Sequence, residues 1–143
     1  MLDLLARIEP GRTAAGLAIG GAILPLARDE RHTTRDLGNG LELLDFGSVR
    51  VWAKGGVIEQ IGVRGGYSGQ VIGTAIGLGS TLQQVVAALG PVVEDEEDNL
   101  IVADLSGLCF ETEAWLGEPG LETVEENLHA RLTEIFVFEC QAG

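Results

Sequence analysis

The stretch from residue 77 to residue 102 reads GLGSTLQQVVAALGPVVEDEEDNLIV, and its first half carries clear helix signals. Ser80 or Thr81 can cap the free N–H groups at the start of a helix. Apolar residues then recur at helical spacing from Leu82 to Leu89. Gly90 and Pro91 follow, and this pair ends helices. The stretch therefore predicts a short amphipathic helix over residues 82–89.

A looser copy of this pattern occurs in the first half of the chain. Residues 8–13 match residues 76–81, and each match precedes an apolar helix candidate. The sequence therefore predicts an α+β fold in which a single domain, residues 1–143, contains two tandem helix-β-β-β repeats. The repeats span about residues 8–63 and 76–138, are joined by a Gly-rich loop at 64–75, and form one antiparallel sheet with both helices packed on one face. The first helix is predicted at Ala14–Leu24, and the strands at Leu41–Phe46, Val49–Ala53, Val57–Val63, Leu100–Asp104, Leu108–Glu113 and Leu132–Phe138.

The charge of the chain is concentrated in its second half. The 143 residues carry a net charge of −13. Residues 1–72 contain eight acidic and eight basic residues, whereas residues 73–143 contain fourteen acidic residues and one basic residue, Arg131. An acidic half repels nucleic acid and acidic membranes and attracts basic proteins. We therefore expect a basic protein partner, although a face that only keeps the protein in solution would have the same composition.

Five consecutive acidic residues follow the predicted helix. They must form an exposed loop, because like charges are not buried without partners. A solvated turn explains this acidic block, and so does an anionic patch that faces a partner. The EF-hand calcium loop needs a central Gly and a final Glu, which residues 94–105 lack, so no metal site is predicted. The residues of the block are Glu94, Asp95, Glu96, Glu97 and Asp98.

A second acidic cluster surrounds a tryptophan between the last two predicted strands. The acids are Glu111, Glu113 and Glu118, and Trp115 lies among them. Tryptophan is enriched at the centres of protein interfaces. Two interpretations stay open: a loop whose Trp115 covers the core, or an interface anchor rimmed by carboxylates.

The Gly-rich loop between the two halves also has two interpretations. It contains Tyr67 but no phosphate-binding motif. It is either a flexible linker or a binding loop with Tyr67 at its tip.

Signatures of catalysis and of cofactor binding are absent from the sequence. His32 and His129 lie outside any nucleophile motif. Cys109 and Cys140 are expected to be reduced, buried thiols, with a disulfide between them as the alternative. The chain is therefore predicted not to be an enzyme and to need no cofactor.

The apolar stretch at residues 14–27 raises the question of a signal peptide or a membrane segment. It is too short to span a bilayer, and Pro25 interrupts it. Asp3 and Glu9 precede it, where a signal peptide carries positive charge. We expect a buried helix, no membrane contact and a cytoplasmic protein.

The motif Gly79-Ser-Thr-Leu, with Val85 and then Leu89-Gly-Pro91, resembles a repeat of two bacterial families. They are the beta-lactamase inhibitory protein and the outer-membrane assembly lipoproteins of the SmpA/OmlA type. The resemblance implies a tandem-repeat scaffold that presents a sheet face to another protein. Cytoplasmic proteins of this size and acidity also look like immunity proteins, which neutralise bacterial toxins.

These observations lead to one functional hypothesis and one alternative. The hypothesis is a non-enzymatic cytoplasmic immunity protein whose acidic half occludes the basic active-site cleft of a toxin. The alternative is a structural or assembly module that homodimerises through an apolar sheet face. An enzyme or a small-ligand carrier is the least favoured reading. The residues expected to bind the partner are Glu94, Asp95, Glu96, Glu97, Asp98, Glu111, Glu113, Trp115, Glu118 and Tyr67.

Overall fold

The computed structural model describes residues 2–97, 99–113 and 124–140, and this part of the chain is mostly β-structure. It contains ten strands, two short α-helices and one turn of 3-10 helix. In chain order these are β1 (Thr13–Ala14), β2 (Leu17–Ala18), α1 (Leu24–Asp29), β3 (Thr33–Gly38), β4 (Leu41–Asp45), β5 (Val49–Lys54), β6 (Val57–Val63), α2 (Leu82–Leu89), β7 (Val92–Glu94), β8 (Leu100–Val102), β9 (Leu105–Thr112), the 3-10 turn (Glu125–Asn127) and β10 (Leu132–Phe138).

Eight of the strands form one antiparallel sheet in the order β3-β4-β5-β6-β10-β9-β8-β7. Strands β3 to β6 run as one meander, and β7 to β10 run as another. The last strands of the two meanders pair with each other, so that Ile135 lies opposite Val63 and Phe138 lies opposite Gln60. Strands β6 and β10 therefore lie at the middle of the sheet.

One face of the sheet is buried and the other is partly exposed. On β5, for example, Val49 and Val51 are fully buried, whereas the alternate residues Arg50 and Trp52 are only half-buried. The hydrophobic core on the buried face also includes residues from the N-terminal segment, from α1 and α2, and from the Gly-rich loop. We call the buried side the core face and the other side the open face.

The predicted α+β fold of two helix-β-β-β repeats, with helices packed on one face of the sheet, is wrong. The described chain is dominated by a single sheet, and its α-helices span only six and eight residues. The helix predicted at Ala14–Leu24 is largely replaced by β1, β2 and the turns around them. Its glycines explain the error, because Gly16 and Gly20 have φ of 78° and 86°, values that an α-helix does not tolerate.

The polar segment at residues 28–39, which lies outside all the predicted helices and strands, contains strand β3. All six residues of β3 are exposed, because the strand lies at the edge of the sheet and covers no core. A strand of this kind has no apolar alternation, which is the pattern by which strands are recognised in sequences. Strand β7, at the opposite edge, is too short for its alternation to be recognised, and only Val92 of its three residues is buried.

The helix predicted at residues 82–89 is confirmed. Thr81 caps it and accepts a hydrogen bond from the backbone N–H of Gln84 at 3.2 Å. The Gln84 side chain returns the interaction by accepting from the N–H of Thr81 at 2.9 Å. This reciprocal capping box satisfies two N–H groups that have no partner inside the helix. Leu82 and Val85 are its buried residues.

Candidate functional site

The central strands of the sheet build a groove on the open face. Strand β5 contributes Arg50 and Trp52, and β10 contributes Phe136 and Phe138. Alternation along each strand explains this placement, because the aliphatic residues between them point into the core. The floor of the groove therefore combines one cation with three aromatic rings.

An ion pair between Arg50 and Glu134 connects β5 to β10 across β6. Arg50 donates two hydrogen bonds to the carboxylate, one from Nε at 3.0 Å and one from Nη2 at 2.6 Å. The side chains of Arg50 and Glu134 are 22% and 6% exposed, so both charges are largely removed from water. This two-pronged geometry holds both groups in place.

A glycine on the strand between them makes this ion pair possible. Gly62 lies opposite Arg50 on one side and opposite Phe136 on the other. A Cβ atom at this position would lie 2.5 Å from Oε2 of Glu134 and 3.2 Å from the ring of Phe136. The carboxylate and the ring therefore occupy the space that any other residue at position 62 would fill.

The aromatic rings pack beside the ion pair. The centroids of Trp52 and Phe136 are 5.9 Å apart with their planes tilted by 59°. The Arg50 guanidinium lies 5.1 Å from the centroid of the Trp52 ring, which is a cation–π distance. Arg50 is thus held by a carboxylate and an aromatic ring together.

Burial alters the proton affinities of two groups on the open face: Glu134, which binds the floor residue Arg50, and Cys109 on the floor itself. Burial raises the pKa of Glu134, and the hydrogen bonds and charge of Arg50 offset part of this rise. Burial also raises the pKa of the Cys109 thiol to about 12, helped by the nearby carboxylates of Asp95 and Glu111. The thiol therefore stays protonated at neutral pH and is a poor nucleophile.

The acidic block overlaps the hairpin between β7 and β8. Asp95 organises this turn, because its Oδ1 accepts hydrogen bonds from the N–H groups of Glu97 and Asn99, both at 2.9 Å. Glu96 and Glu97 are exposed. One acid of the block therefore shapes the hairpin, and these two remain available to other molecules.

The hairpin and the sheet together enclose a groove of about 740 Å³, which we call the aromatic groove. The hairpin supplies carboxylates to its rim, and the central strands supply its floor. The side-chain amides of Gln60 and Asn99 add hydrogen-bonding groups to the lining. The lining residues are Arg50, Trp52, Gln60, Asp95, Glu96, Glu97, Asn99, Cys109, Glu111, Phe136 and Phe138.

Four of the predicted partner-binding residues meet in this groove: Asp95, Glu96, Glu97 and Glu111. Glu94, the last residue of β7, is exposed but does not line the groove. Glu113 lies just after β9, where its carboxylate accepts a hydrogen bond from the backbone N–H of Arg131 at 3.3 Å. Predictions for Asp98, Trp115 and Glu118 lie outside the described residues.

Tyr67 lies in the core rather than at the tip of a binding loop. It is 4% exposed. Its hydroxyl accepts a hydrogen bond from the N–H of Ala15 at 2.9 Å and donates one to the carbonyl of Ala6. Tyr67 therefore ties the Gly-rich loop to the N-terminal segment, and its side chain is not available to a partner.

The two cysteines differ in their surroundings, and both are free. Cys109 lies on β9 at the floor of the groove and is half-buried. Cys140 follows β10 and is exposed, so the expectation of a second buried thiol is wrong. Its sulfur lies 3.5 Å from the carbonyl oxygen of Ser106.

The sequence analysis did not predict the floor of the groove, although the sequence contains a charged residue in each of two apolar strands. In the strand LTEIFVF, Glu134 is one carboxylate among apolar residues, and such a charge needs a buried partner. Arg50 in the alternating strand VRVWAK is a candidate partner. Neither segment reveals that the two strands are separated by a single strand, which is a property of the sheet order.

The described residues contain neither a cluster suited to a metal ion nor a helix able to span a membrane. Within residues 2–97, 99–113 and 124–140, no group of three or more His, Cys, Asp or Glu side chains is arranged to hold a metal ion. None of the helices in this part of the chain has the length and apolar character needed to cross a membrane.

Comparison with known proteins identifies a shared fold but no family. No protein-family model matches the chain, and no curated protein matches it. Among solved structures, it is similar to the uncharacterized protein yfeY from Escherichia coli, with a TM-score of 0.63 and 13% sequence identity. The match covers 94% of this chain and 100% of the other. At this identity the likeness concerns the fold alone, and the resemblance to the inhibitory and SmpA/OmlA-type families stays a prediction.

Proposed function

We propose that this chain is a non-enzymatic binding protein that docks a basic region of another protein into the aromatic groove. The observation that carries the proposal is the convergence of two kinds of group. Exposed carboxylates of the hairpin form the rim of the same groove whose floor includes three aromatic rings. Interface centres favour aromatic residues, and complementary charge selects the partner and its orientation.

The charge of the chain supports a basic partner. The net charge of −13 resides in residues 73–143, which also supply the hairpin, β9 and β10. Such a field accelerates encounters with a positively charged surface and makes association sensitive to salt. It also opposes docking to nucleic acid or to an acidic membrane.

The chemistry of the floor favours binding over catalysis. Among the described residues that line the groove, Cys109 carries the only thiol, and its raised pKa keeps that thiol protonated. Glu134 is engaged by Arg50 through both of its oxygens. Neither the thiol of Cys109 nor the carboxylate of Glu134 is therefore free to react with a substrate.

The specific form of the proposal is a cytoplasmic immunity protein of a bacterial toxin. Its mechanism would be occlusion, in which the acidic rim covers a basic catalytic cleft and the aromatic floor receives an apolar or cationic side chain. A toxin that acts on nucleic acid needs such a basic cleft, because it must attract phosphates. A cytoplasmic location belongs to this proposal.

The alternative, homodimerisation through the open face, is the weaker proposal. A symmetric dimer places the same patch of both copies face to face. Glu96 and Glu97 of one copy would then lie near those of the other, and like charges in an interface are costly.

The proposal is tested by purification of the full-length tagged protein from its native host at low salt, with bound proteins identified by mass spectrometry. A stoichiometric basic protein that is released by high salt is the expected result. The double variant Glu96→Gln/Glu97→Gln should lose this partner. Asp104→Asn, which removes an exposed acid that does not line the groove, should retain it.

Recovery of the chain alone would contradict the proposal. A salt-insensitive homodimer, measured by sedimentation, would instead favour the alternative.

A further inference from the structure

The surroundings of Arg50 show how the open face binds a guanidinium group. Glu134 accepts two of its hydrogen bonds, and the ring of Trp52 lies 5.1 Å away. Arginine suits this combination because its planar fork bonds a carboxylate through two N–H groups while its plane stacks on an aromatic ring. Lysine, a compact and strongly hydrated point charge, cannot make both interactions in this way.

The rest of the groove also contains carboxylates and an aromatic ring, but no second cation among its described lining residues. Glu96, Glu97 and Glu111 are exposed carboxylates on its lining, and Phe138 is a half-buried ring on the same lining. Among the described residues that line the groove, Arg50 is the only Lys or Arg, and its charge is already matched by Glu134. The rim carboxylates therefore provide negative charge that an incoming cation can neutralise.

We infer that the groove selects arginine over lysine in the basic partner. This inference rests on the proposed function and names the side chain that enters the groove. The guanidinium stacks on Phe138 and donates hydrogen bonds to a carboxylate of the hairpin, Glu96 or Glu97, so that it makes the two kinds of contact that Arg50 makes.

Other occupants fit the groove less well. An anion would be repelled by the carboxylates of the rim. Arg50 would attract it only weakly, because Glu134 already neutralises the charge of Arg50. A purely apolar segment would leave those carboxylates partly desolvated without partners, which costs free energy.

The inference is tested with two labelled peptides, one of alternating glycine and arginine and the other of alternating glycine and lysine. Their affinities for the full-length protein are measured by fluorescence anisotropy at low salt. Both peptides have the same charge and length, so long-range attraction contributes equally to both. The arginine peptide should bind about fivefold more tightly, from stacking and two-pronged hydrogen bonding.

Three variants separate the two contributions. Phe138→Leu keeps an apolar side chain but removes the ring, so it should bring the two affinities close together. Glu97→Gln should weaken both peptides, and more strongly the arginine peptide, because one acceptor of its hydrogen bonds is lost. Asp104→Asn changes the net charge equally outside the groove and should leave the preference unchanged. Thermal unfolding of each variant confirms that it is folded.

Equal affinities of the two peptides, both lost at high salt and both weakened by Glu97→Gln, would overturn arginine selection while leaving the proposed basic partner in place. Failure of both peptides to bind would overturn the inference and count against the proposed function as well. A preference for arginine that persists in Phe138→Leu would also overturn it, because the ring would then have no part in selection.

Discussion

The floor and the rim of the aromatic groove both carry carboxylates, but the two sets have opposite relations to the fold. Glu134, which we call the floor carboxylate because it binds the floor residue Arg50, is 6% exposed and is bonded through both oxygens to that arginine. Glu96 and Glu97 on the rim are exposed. The floor carboxylate is part of the folded structure, whereas these rim carboxylates contribute charge to the surface. The number of acids in a region therefore does not indicate which of them a partner can reach.

The largest effect is expected when the floor carboxylate loses its partner. Arg50→Met leaves the Glu134 carboxylate buried without a counter-charge, which should cost about 3 kcal/mol in the free energy of unfolding. Urea denaturation monitored by circular dichroism measures this loss. The double variant Arg50→Met/Glu134→Leu should recover most of it, because neither charge then remains buried. A double variant as unstable as the single one would show that the loss comes from packing alone.

The stability of Arg50→Met should also depend on pH. Arg50 lowers the pKa of Glu134, so its removal moves this pKa further above the value in the unfolded chain. The native state then holds a proton that the unfolded state has released, and stability falls as pH rises through the window between the two values. The deficit relative to the unsubstituted protein should therefore be larger near pH 8 than near pH 5. An equal deficit at both values would contradict a buried, unpaired carboxylate.

A somewhat smaller effect is expected from Gly62→Ala. The new methyl group would clash with the Glu134 carboxylate and the Phe136 ring and force both to shift, at a cost of about 2 kcal/mol. Gly65→Ala is the matched control, because a Cβ atom there meets nothing within 4 Å. Thermal unfolding of the two variants compares them directly. Similar melting temperatures would show that the space above Gly62 is not tightly filled.

Asp95 is the member of the acidic block with a structural role, and its replacement should have an intermediate effect. Asp95→Ala removes the acceptor of two backbone hydrogen bonds in the β7–β8 hairpin and should cost about 1 kcal/mol. Asp95→Asn retains an acceptor oxygen and should cost less. Chemical denaturation distinguishes the two variants, and equal losses would mean that the charge of Asp95, rather than its hydrogen bonds, supports the turn.

The smallest effect on stability is expected at the rim. Glu97→Gln should change the free energy of unfolding by no more than about 0.5 kcal/mol, because its side chain is exposed. The same substitution should weaken binding of a basic partner, measured by anisotropy or by recovery of the partner. A large loss of stability would remove the distinction between the floor and the rim.

The candidate site could be predicted only in part, and the reason is the same for each of its residues. The acidic block was recognisable because five adjacent acids cannot be buried together, and the cap and apolar spacing of α2 were equally local signals. The ion pair of Arg50 and Glu134 joins residues 84 positions apart in sequence. No pattern of nearby residues specifies such a contact, since it depends on β6 and β10 being neighbours.

The sequence alone determined features that depend on short-range physical chemistry: the capped helix at Leu82–Leu89, the alternating strands from Leu41 to Val63, and the acidic charge of the second half. The tertiary structure decided the order of the strands, the exposed edge strand β3 and the convergence of the hairpin with the aromatic floor. Helix caps and strand alternation act between residues close in the chain, whereas strand order is set by which faces can be buried together. The function proposed here depends on that second kind of information.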